Sequence, residues 1–468
     1  MTITTISTVT SPGSALPAGS RLYRHTVPLA TSMNPVTGAA ALRTDGRVML
    51  TAGSDGRHAT LAVGELAVLS HPGGAGHAPL ADAVDFLAGL DIPADTPAPE
   101  AAWYGLLGYD AVRDFERLPS RHPATDRPVY EFFLPEALVQ FTDGHGQVIG
   151  RGSSAAAARA AAERVARRLN RLAMAPSPAS GRYRHGGIAV GAGTFGFSYE
   201  EYAAAVDRAK RHILDGDVFQ LVLSNAWTAP ASVDGLAVFE RLTAINPSPY
   251  HFWYAGPRFE VVGASPEPCL TLHDGLALIR PLAGTRPRGA DGLADQRAEA
   301  DLRSSVKELA EHRMLVDLAR NDLGRVCLPG SVSVERLMDV ERYSHVMHLT
   351  SDVHGRIRGD RRTDELIRAT FPAGTMTGTP KVRAMEIIDD LEPSRRWLYS
   401  GAVGSFGLSH VDLFLTIRSM VLCDGEIRLQ AGGGIVHDSE ASEEYAECLA
   451  KLGSGARALG VTMKGSPT

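Results

Sequence analysis

The segment Gln430-Ala-Gly-Gly-Gly-Ile435, followed by Asp438-Ser-Glu-Ala-Ser-Glu-Glu-Tyr-Ala-Glu-Cys-Leu-Ala-Lys451, indicates a strand that ends in glycines and leads into an acidic helix. Glycines allow backbone N–H groups to approach a ligand closely. Side chains spaced i, i+4, i+7 and i+11 share one face of a helix, and here they are Glu440, Glu444, Glu447 and Lys451. Such carboxylates repel one another unless they are well solvated or hold a cation.

A second helix carries a similar pattern in Lys307-Glu-Leu-Ala-Glu-His312, where Glu308 and Glu311 are spaced i, i+3. Mg²⁺ takes few oxygen ligands from protein and leaves positions for water and an anionic substrate. Two helices that each offer a carboxylate pair could supply those ligands. The sequence therefore favours a metal site formed by Glu308, Glu311, Glu444 and Glu447 over two solvated surfaces.

Further anion-binding features accompany the acidic helices. The glycine-bearing turns Pro281-Leu-Ala-Gly-Thr285 and Phe371-Pro-Ala-Gly-Thr-Met-Thr-Gly378 each lie beside an apolar run. Arg418 interrupts the apolar pattern of Leu415-Thr-Ile-Arg-Ser419, and its guanidinium could bind a carboxylate through two parallel hydrogen bonds. These features indicate a small acidic ligand.

The composition excludes several classes of protein. The chain has 468 residues, of which 44% are hydrophobic and 21% are charged, and its formal net charge is −6. These values are typical of a folded globular protein and argue against a nucleic-acid partner. The four cysteines form no CxxC pair, so neither a zinc ribbon nor a disulfide framework is indicated, and a reducing cytoplasm fits best. No segment approaches the roughly 20 apolar residues that cross a membrane.

Strand and helix patterns are mixed without a strict βαβ rhythm, so we expect an α+β fold. The capping box Ser198-Tyr-Glu-Glu201 predicts a helix that ends at Gly216, and another helix is expected over 302–321. We expect five segments along the chain: a disordered leader at 1–20, a β-rich N-terminal domain at 21–172, a linker at 173–186, a domain that carries the motifs at 187–460, and a tail at 461–468.

Five runs of residues occur together in one order: Pro281-Leu-Ala-Gly-Thr-Arg-Pro-Arg-Gly289, Lys307-Glu-Leu-Ala-Glu-His-Arg-Met-Leu-Val-Asp-Leu-Ala-Arg-Asn-Asp322, Glu341-Arg-Tyr-Ser-His-Val-Met-His348, Lys381-Val-Arg-Ala-Met-Glu386 and Gly432-Gly-Gly-Ile-Val436. They resemble the chorismate-utilising enzymes, and most of all the large synthase component of anthranilate synthases. The resemblance is strong over 197–453 and loose before that. It implies large antiparallel sheets that form a sandwich core with flanking helices, and a lyase that binds chorismate and Mg²⁺.

The resemblance also implies a role for each matching residue. Glu267 matches the general acid that protonates the departing hydroxyl, which requires a raised pKa, and His348 matches the base that takes the ring proton as pyruvate leaves. Thr285 is grouped with these two as catalytic. Two carboxylates match direct metal ligands and two act through bound water: Glu311 and Glu447, then Glu308 and Glu444. Nine positions are assigned to substrate binding: Gln220, Ala283, Gly284, Tyr399, Arg418, Gly432, Gly433, Gly434 and Lys451.

Two positions separate the reactions of such enzymes. Relatives that add water at C2 carry a lysine base where this chain has Gln220, and an amide cannot deprotonate water, whereas ammonia needs no base. Relatives that make 4-amino-4-deoxychorismate carry a nucleophilic lysine where this chain has Ala283. We therefore expect ammonia to attack C2.

The identity of the released product stays open at this point. Thr377-Gly-Thr-Pro-Lys381 and Gly433 depart from the usual anthranilate synthase pattern. We expect anthranilate, with release of 2-amino-2-deoxyisochorismate for a specialised metabolite as the alternative. A 4-amino-4-deoxychorismate synthase and a non-catalytic subunit of the same fold are further alternatives.

Partners and regulation are also predicted. No cysteine lies in a glutaminase-like setting, so ammonia is expected from solution or from a separate glutamine amidotransferase subunit, in a homo- or hetero-oligomer. Tryptophan-inhibited relatives surround the inhibitor with a Leu-Leu-Glu-Ser segment and an Asn-Pro-Ser-Pro-Tyr segment. The second is present as Asn246–Tyr250, but Val48-Met-Leu-Thr-Ala-Gly-Ser54 has no carboxylate for the inhibitor's ammonium. We therefore expect insensitivity to tryptophan.

Overall fold

The computed structural model describes the following residues: 9–10, 16–17, 19–74, 77–123, 125–174, 186–343 and 346–463. Within them lie ten α-helices: α1 (Pro35–Leu42), α2 (Pro79–Ala88), α3 (Ala155–Met174), α4 (Tyr199–Leu214), α5 (Gly235–Ile245), α6 (Gly292–Ser304), α7 (Val306–Gly324), α8 (Thr363–Thr370), α9 (Lys381–Leu391) and α10 (Ala441–Leu459).

The strands of the same residues are, in chain order: β1 (Val9–Thr10), β2 (Tyr23–Pro28), β3 (Val48–Ala52), β4 (His58–Val63), β5 (Ala67–His71), β6 (Trp103–Leu107), β7 (Tyr130–Leu134), β8 (Ala137–Thr142), β9 (His145–Gly152), β10 (Ile188–Val190), β11 (Thr194–Phe195), β12 (Gln220–Val233), β13 (Tyr250–Ala255), β14 (Phe259–Ser265), β15 (Pro268–His273), β16 (Leu276–Ile279), β17 (Leu282–Pro287), β18 (Ser333–Arg342), β19 (Val346–Arg356), β20 (Gly378–Thr379), β21 (Ala402–Phe406), β22 (Val411–Leu415), β23 (Ser419–Cys423) and β24 (Glu426–Ile435).

These strands form two large antiparallel sheets. The smaller has the order β1-β5-β7-β6-β21-β22-β15-β16-β19-β17, with β18 paired to β19. The larger has the order β10-β12-β24-β23-β14-β13-β3-β4-β8-β9-β2, with β11 and β20 paired to β12. The predicted α+β fold with antiparallel sheets and flanking helices is confirmed.

Aromatic side chains fill the space between the two sheets. Phe414 on β22 of the smaller sheet stacks on Tyr250 of β13, with 4.9 Å between ring centroids, and also contacts Phe252. Such large apolar side chains dominate the stabilisation of a core. Helices α1, α3, α5 and α10 cover the opposite face of the larger sheet through a second apolar cluster. The helices thus flank the sandwich.

Strands from both predicted domains enter both sheets. In the larger sheet β3 pairs with β13, with Ala52 opposite His251, and in the smaller sheet β6 pairs with β21, with Gly105 opposite Gly404. The division of the chain into two domains at residues 173–186 therefore stays a prediction. Most of the proposed linker lies outside the described residues, and so does most of the tail at 461–468.

Most of the predicted leader also lies outside the described residues. Its described part differs from the prediction of disorder, because Val9–Thr10 pair with β5 and Leu16 is buried. Among the described helices, none has the length and apolar character needed to cross a bilayer.

Local sequence signals explain several helix ends. Ser198 Oγ accepts a hydrogen bond from Glu201 N, and Glu201 Oε2 accepts one from Ser198 N, so the predicted capping box begins α4. The helix expected over 302–321 is wrong as one unit, since Ser305 is extended and caps a new helix by accepting from Glu308 N. Glu440 is likewise the residue before α10, so it does not belong to the acidic helical face.

Candidate active site

Glu267 lies in the short connection between β14 and β15 and is only 5% exposed. Its Oε1 accepts a 2.8 Å hydrogen bond from Thr375 Oγ1. Burial raises the pKa of the Glu267 carboxyl to about 8, although this hydrogen bond and the charge of Lys451 oppose the shift. The carboxyl therefore carries a proton at neutral pH.

His348 and Thr285 are paired across strands β19 and β17. His348 Nδ1 lies 2.9 Å from Thr285 Oγ1 and 3.2 Å from the carbonyl oxygen of Gly284. Burial lowers the pKa of the imidazole to about 4, with a smaller contribution from the positive charges of Arg418 and Lys451. The imidazole is therefore neutral at pH 7.

A bulge between Ala283 and Thr285 places Gly284 at the centre of this arrangement. Gly284 has a φ of +68°, in the left-handed region that favours glycine, and a Cβ there would lie 3.1 Å from Glu308 Oε2. The glycine lets β17 pass close to α7. The sequence-predicted residues Ala283, Gly284 and Thr285 are thus brought together with the acidic helix α7.

The three predicted glycines Gly432, Gly433 and Gly434 form the end of β24 beside β12. A Cβ on Gly434 would lie 2.2 Å from Gln220 Nε2, and one on Gly433 would lie 2.7 Å from Glu444 Oε2. The glycines thus let the side chains of Gln220 and Glu444 pack directly against the backbone of β24.

Gln220 is buried at the start of β12, and its Oε1 has no hydrogen-bond partner within the described residues. A buried acceptor without a partner costs free energy, and most such groups in folded proteins are satisfied. The orphaned amide oxygen of Gln220, beside Gly434, can accept a hydrogen bond from a bound molecule.

Lys451 lies between the glycine strand β24 and the carboxylates of α10. Its Nζ donates a 2.7 Å hydrogen bond to Gly432 O and lies 2.6 Å from Glu447 Oε1. Its charge acts on both Glu267 and His348, which places the predicted acid, base and glycine strand around one ammonium.

Arg418 interrupts the strand pattern as predicted, because it has a positive φ of 50° between β22 and β23. Burial lowers the pKa of its guanidinium, while neighbouring Tyr399 and Glu447 oppose the shift. Within the described part of the chain no carboxylate lies within 4.0 Å of it. Its Nη1 donates a 3.4 Å hydrogen bond to Lys451 O, and its other donors can bind a carboxylate of a ligand.

The predicted metal carboxylates come from α7 and α10 and face one another. Burial raises the pKa of Glu311 to about 7, and the negative charges of Glu308, Glu444 and Glu447 raise it further, against the effect of Lys307. Among the described residues, however, no three side chains of His, Cys, Asp or Glu are grouped so as to hold a metal by themselves.

The carboxylates nevertheless fit Mg²⁺. This ion is usually held by one or two carboxylates, with water and substrate oxygens as its other ligands, so a preformed cage of three is not required. Mutual repulsion among hard oxygen donors, seen in the raised pKa of Glu311, is the condition that a divalent cation relieves.

Two contacts of the site were missed by the sequence analysis. Thr375 lies in the glycine-bearing turn that was noted only as an anion-binding candidate, and its hydroxyl reaches Glu267. Arg286 directly follows the Thr285 motif, and its Nη1 lies 3.0 Å from Glu308 Oε1. The sequence signal for both residues was a hydroxyl or a cation next to a recognised motif. Their partners, Glu267 and Glu308, are evident only from the tertiary structure.

Comparisons with known proteins agree with this geometry. The profile of the "chorismate binding enzyme" family matches residues 46–457. The chain is 43% identical to anthranilate synthase component 1 of Cereibacter sphaeroides, over 79% of this chain and 75% of that protein. It is 45% identical to the Streptomyces coelicolor protein of the same name, over 74% and 70%. The crystal structure of anthranilate synthase component I from Streptococcus pneumoniae has a TM-score of 0.70 and 28% identity, covering 93% of this chain and 92% of that one.

Proposed function

Because this chain belongs to the chorismate binding enzyme family, we propose that it aminates chorismate at C2 and converts the product to anthranilate. The observation that supports this best is that one site holds a protonated carboxyl, Glu267, and an unprotonated imidazole, His348. The first reaction needs an acid and the second needs a base. The two groups are therefore in the protonation states that the sequence of steps requires.

In the amination step Glu267 gives its proton to the departing 4-hydroxyl, which leaves as water. Ammonia attacks C2, the ring double bonds shift toward C4, and the new ammonium loses one proton, so charge and atoms balance. Gln220 supports ammonia as the nucleophile, because its free Oε1 can accept a hydrogen bond from ammonia but an amide cannot deprotonate water. The methyl of Ala283 can form no covalent adduct.

In the elimination step His348 takes the proton from C2, the C3–O bond breaks, and the ring becomes aromatic. The leaving group is the enolate of pyruvate, which takes up one proton at its methylene carbon to become pyruvate, so that charge and atoms balance. Since the carbonyl oxygen of Gly284 can only accept a hydrogen bond, Nδ1 carries the proton and Nε2 offers the lone pair. The relatives' names favour complete conversion to anthranilate over release of 2-amino-2-deoxyisochorismate.

Cationic and backbone donors hold the substrate carboxylates in this proposal. The guanidinium of Arg418, with Tyr399 beside it, keeps donors besides the one that binds Lys451 O, and these suit the carboxylate of the enolpyruvyl group. The ammonium of Lys451 suits a second anionic group. These contacts orient the ring between Glu267 and His348.

Mg²⁺ would be held by Glu311 and Glu447, with Glu308 and Glu444 acting through bound water. When bound, the ion would neutralise the negative charge of a substrate carboxylate against these acidic helices. At the start of α10 Ser439 Oγ donates a 2.7 Å hydrogen bond to Glu444 Oε1, which orients this carboxylate.

The ammonia in this proposal comes from solution or from a separate glutamine amidotransferase subunit. A glutaminase of the cysteine type needs a reactive thiolate, and burial raises the pKa of all four cysteines: Cys269, Cys327, Cys423 and Cys448. The relatives are named as component 1 of their synthase, which fits a chain that works with a second subunit.

Turnover of chorismate with ammonium and Mg²⁺ tests the proposal, with products followed by anthranilate fluorescence and by mass. Anthranilate and pyruvate in equal amounts are expected. An aminated product that retains the enolpyruvyl group would favour the alternative reaction, and absence of turnover would refute the proposed activity. Glutamine in place of ammonium should support no turnover by this chain alone.

A further inference from the structure

Arg396 lies in the segment after α9, is only 3% exposed, and does not belong to the sequence-predicted site. Its Nε and Nη2 donate to the two carboxylate oxygens of Glu392 at 2.9 and 2.6 Å. Nη1 donates to Met376 O at 2.7 Å, and Nη2 also donates to Val222 O at 2.8 Å. One guanidinium thus joins three separate pieces of chain.

Glu392, which is 4% exposed, extends this contact to strand β12. Its Oε1 accepts hydrogen bonds from Ser224 N at 2.9 Å and from Ser224 Oγ at 2.7 Å. Gln430 Nε2 on β24 donates to the same Ser224 hydroxyl. The pair is therefore satisfied on both sides, as a buried ion pair must be to persist.

Residues 371–380 form a connection that we call the Thr375 loop. Thr375 donates to Glu267, and two residues later Thr377 O accepts a 2.8 Å hydrogen bond from Val222 N. Gly378 and Thr379 then pair with Leu221 and Gln220 on β12. The loop therefore contacts the acid at one end and the strand of Gln220 at the other. Between them lies Met376, whose carbonyl Arg396 binds.

On the basis of the proposed function, we propose that the Arg396–Glu392 pair positions the Thr375 loop against β12 and thereby holds the Glu267 carboxyl in place for amination. Arg396 is a positioning residue here, because its hydrogen bonds go to protein atoms. A guanidinium is suited to this task, since its planar fork reaches several acceptors in fixed directions, whereas a lysine ammonium is a single point.

The loop also controls the surroundings of the acid. A small pocket is lined by both Glu267 and Thr375. Other charged or titratable groups that face Glu267 or this region lie outside the loop: Cys269, Arg280, Asp322, Lys381 and Lys451. None of them is a hydrogen-bond partner of Arg396 in the described residues. A change at Arg396 therefore reaches Glu267 through the loop.

Arg396→Lys tests the proposal in the full-length protein, with chorismate, ammonium and Mg²⁺ and a pH profile of kcat. Wild-type kcat should fall as the pH rises through the Glu267 pKa of about 8. In the variant the displaced loop withdraws the Thr375 hydroxyl, whose hydrogen bond stabilises the Glu267 carboxylate, so this alkaline limb should move to higher pH by up to about one unit. A displacement of about 1 Å in such a group lowers kcat by up to about 100-fold.

Arg47→Lys is the matched control, because Arg47 is also buried and its side chain bonds to Glu131 and Glu65 rather than to the Thr375 loop. It should lower the melting temperature without moving the alkaline limb. Thr375→Val completes a double-mutant cycle. If Arg396 acts through Thr375, Arg396→Lys should move the limb little further in the Thr375→Val background.

Ser224→Ala provides a milder variant should Arg396→Lys fail to fold, since it removes one of the two bonds from Ser224 to Glu392. An upward shift of the limb, smaller than that of Thr375→Val and not additive with it, supports the proposal. A folded Arg396→Lys or Ser224→Ala enzyme with a wild-type limb, or additive shifts in the cycle, overturns it. Absence of turnover by the wild type would refute the proposed function first.

Discussion

His348 Nδ1 lies 2.9 Å from the hydroxyl oxygen of Thr285, its partner across two adjacent strands. Together with the carbonyl oxygen of Gly284, this contact fixes the ring plane and leaves Nε2 unprotonated. With the pKa lowered to about 4 by burial, the imidazole is a base at every pH at which the enzyme would work. The contact between His348 and Thr285 bears only on the removal of the ring proton. It therefore concerns the elimination step and not the amination step.

His348→Gln should therefore stop the second step and spare the first. Anthranilate formation should fall by about 10²- to 10⁴-fold, the usual contribution of a general base, while an aminated product that retains the enolpyruvyl group accumulates. Mass spectrometry of the products measures both. His354→Gln is the control, because His354 lies on the same strand and its imidazole pairs with Glu335. Loss of both activities in His348→Gln would contradict a role confined to elimination.

Glu267 should give the amination step its pH dependence. The acid must be protonated, and its folded pKa is raised to about 8, so kcat should be constant below that value and fall tenfold per pH unit above it. Glu267→Gln should lose about 10²- to 10⁴-fold in kcat. Glu260→Gln on the neighbouring strand β14 should keep the wild-type profile, since Glu260 bonds to Trp253. A wild-type profile that rises through pH 8 would speak against the assignment.

Metal binding should depend on the carboxylates of α7 and α10. Glu311→Gln and Glu447→Gln should abolish Mg²⁺-dependent turnover and the thermal stabilisation by Mg²⁺, which reaches about 2.7 kcal/mol at 100 times Kd for a ligand that binds the folded state. Glu443→Gln, exposed on the same helix, is the control. Near-normal Mg²⁺ binding by both site variants in calorimetry would refute the site.

The affinity for Mg²⁺ should also rise with pH. Protonated Glu311 cannot serve as a ligand, and its pKa is raised to about 7, so binding should tighten as the pH increases through that value and level off above it. Calorimetric titrations between pH 6 and 8.5 measure this. Equal affinity across the range would show that Glu311 does not coordinate the ion.

Gln220 should prevent the addition of water. Without ammonia the wild type should form neither isochorismate nor salicylate, because the amide oxygen accepts hydrogen bonds but cannot serve as a base near neutral pH. Gln220→Lys is expected to gain a trace of water addition. Chromatography of reactions in ammonia-free buffer gives the answer. Robust isochorismate formation by the wild type would be incompatible with this role of Gln220.

Tryptophan should not inhibit the enzyme at physiological concentrations. The two segments compared in the sequence are neighbours, since Ala52 of β3 lies opposite His251 of β13. The alternative acid, Asp55, accepts a bond from Arg57 N in an exposed turn. An unpaired buried ammonium costs several kcal/mol, and each 1.4 kcal/mol is about tenfold in affinity. Inhibition of ammonia-dependent turnover at low micromolar tryptophan would overturn this prediction.

The spacing of residues predicted those parts of the site whose members are close together in the sequence. Glu308 and Glu311, or Glu444 and Glu447, share a helical face because three residues make nearly one turn, and the glycine run predicts an open strand. Ordered motifs then identified the family and the antiparallel sandwich. The spacing failed at Ser305 and Glu440, which are extended residues that precede a helix. At Ser305 the cap depends on one side-chain hydrogen bond, which apolar periodicity does not report.

The sequence by itself determined the family, because the types and order of these residues along the chain are specific to it, and it predicted which side chains carry the chemistry. Only the tertiary structure decided their protonation states, since burial in the fold shifts the pKa values of Glu267 and His348. For example, the residue that contacts the Glu267 carboxyl is Thr375, more than a hundred residues away along the chain. It also decided that Arg396 holds the Thr375 loop. That contact joins positions 222, 376 and 396, which no local pattern connects, and it forms because buried carbonyl and carboxylate oxygens must find donors wherever the fold places them.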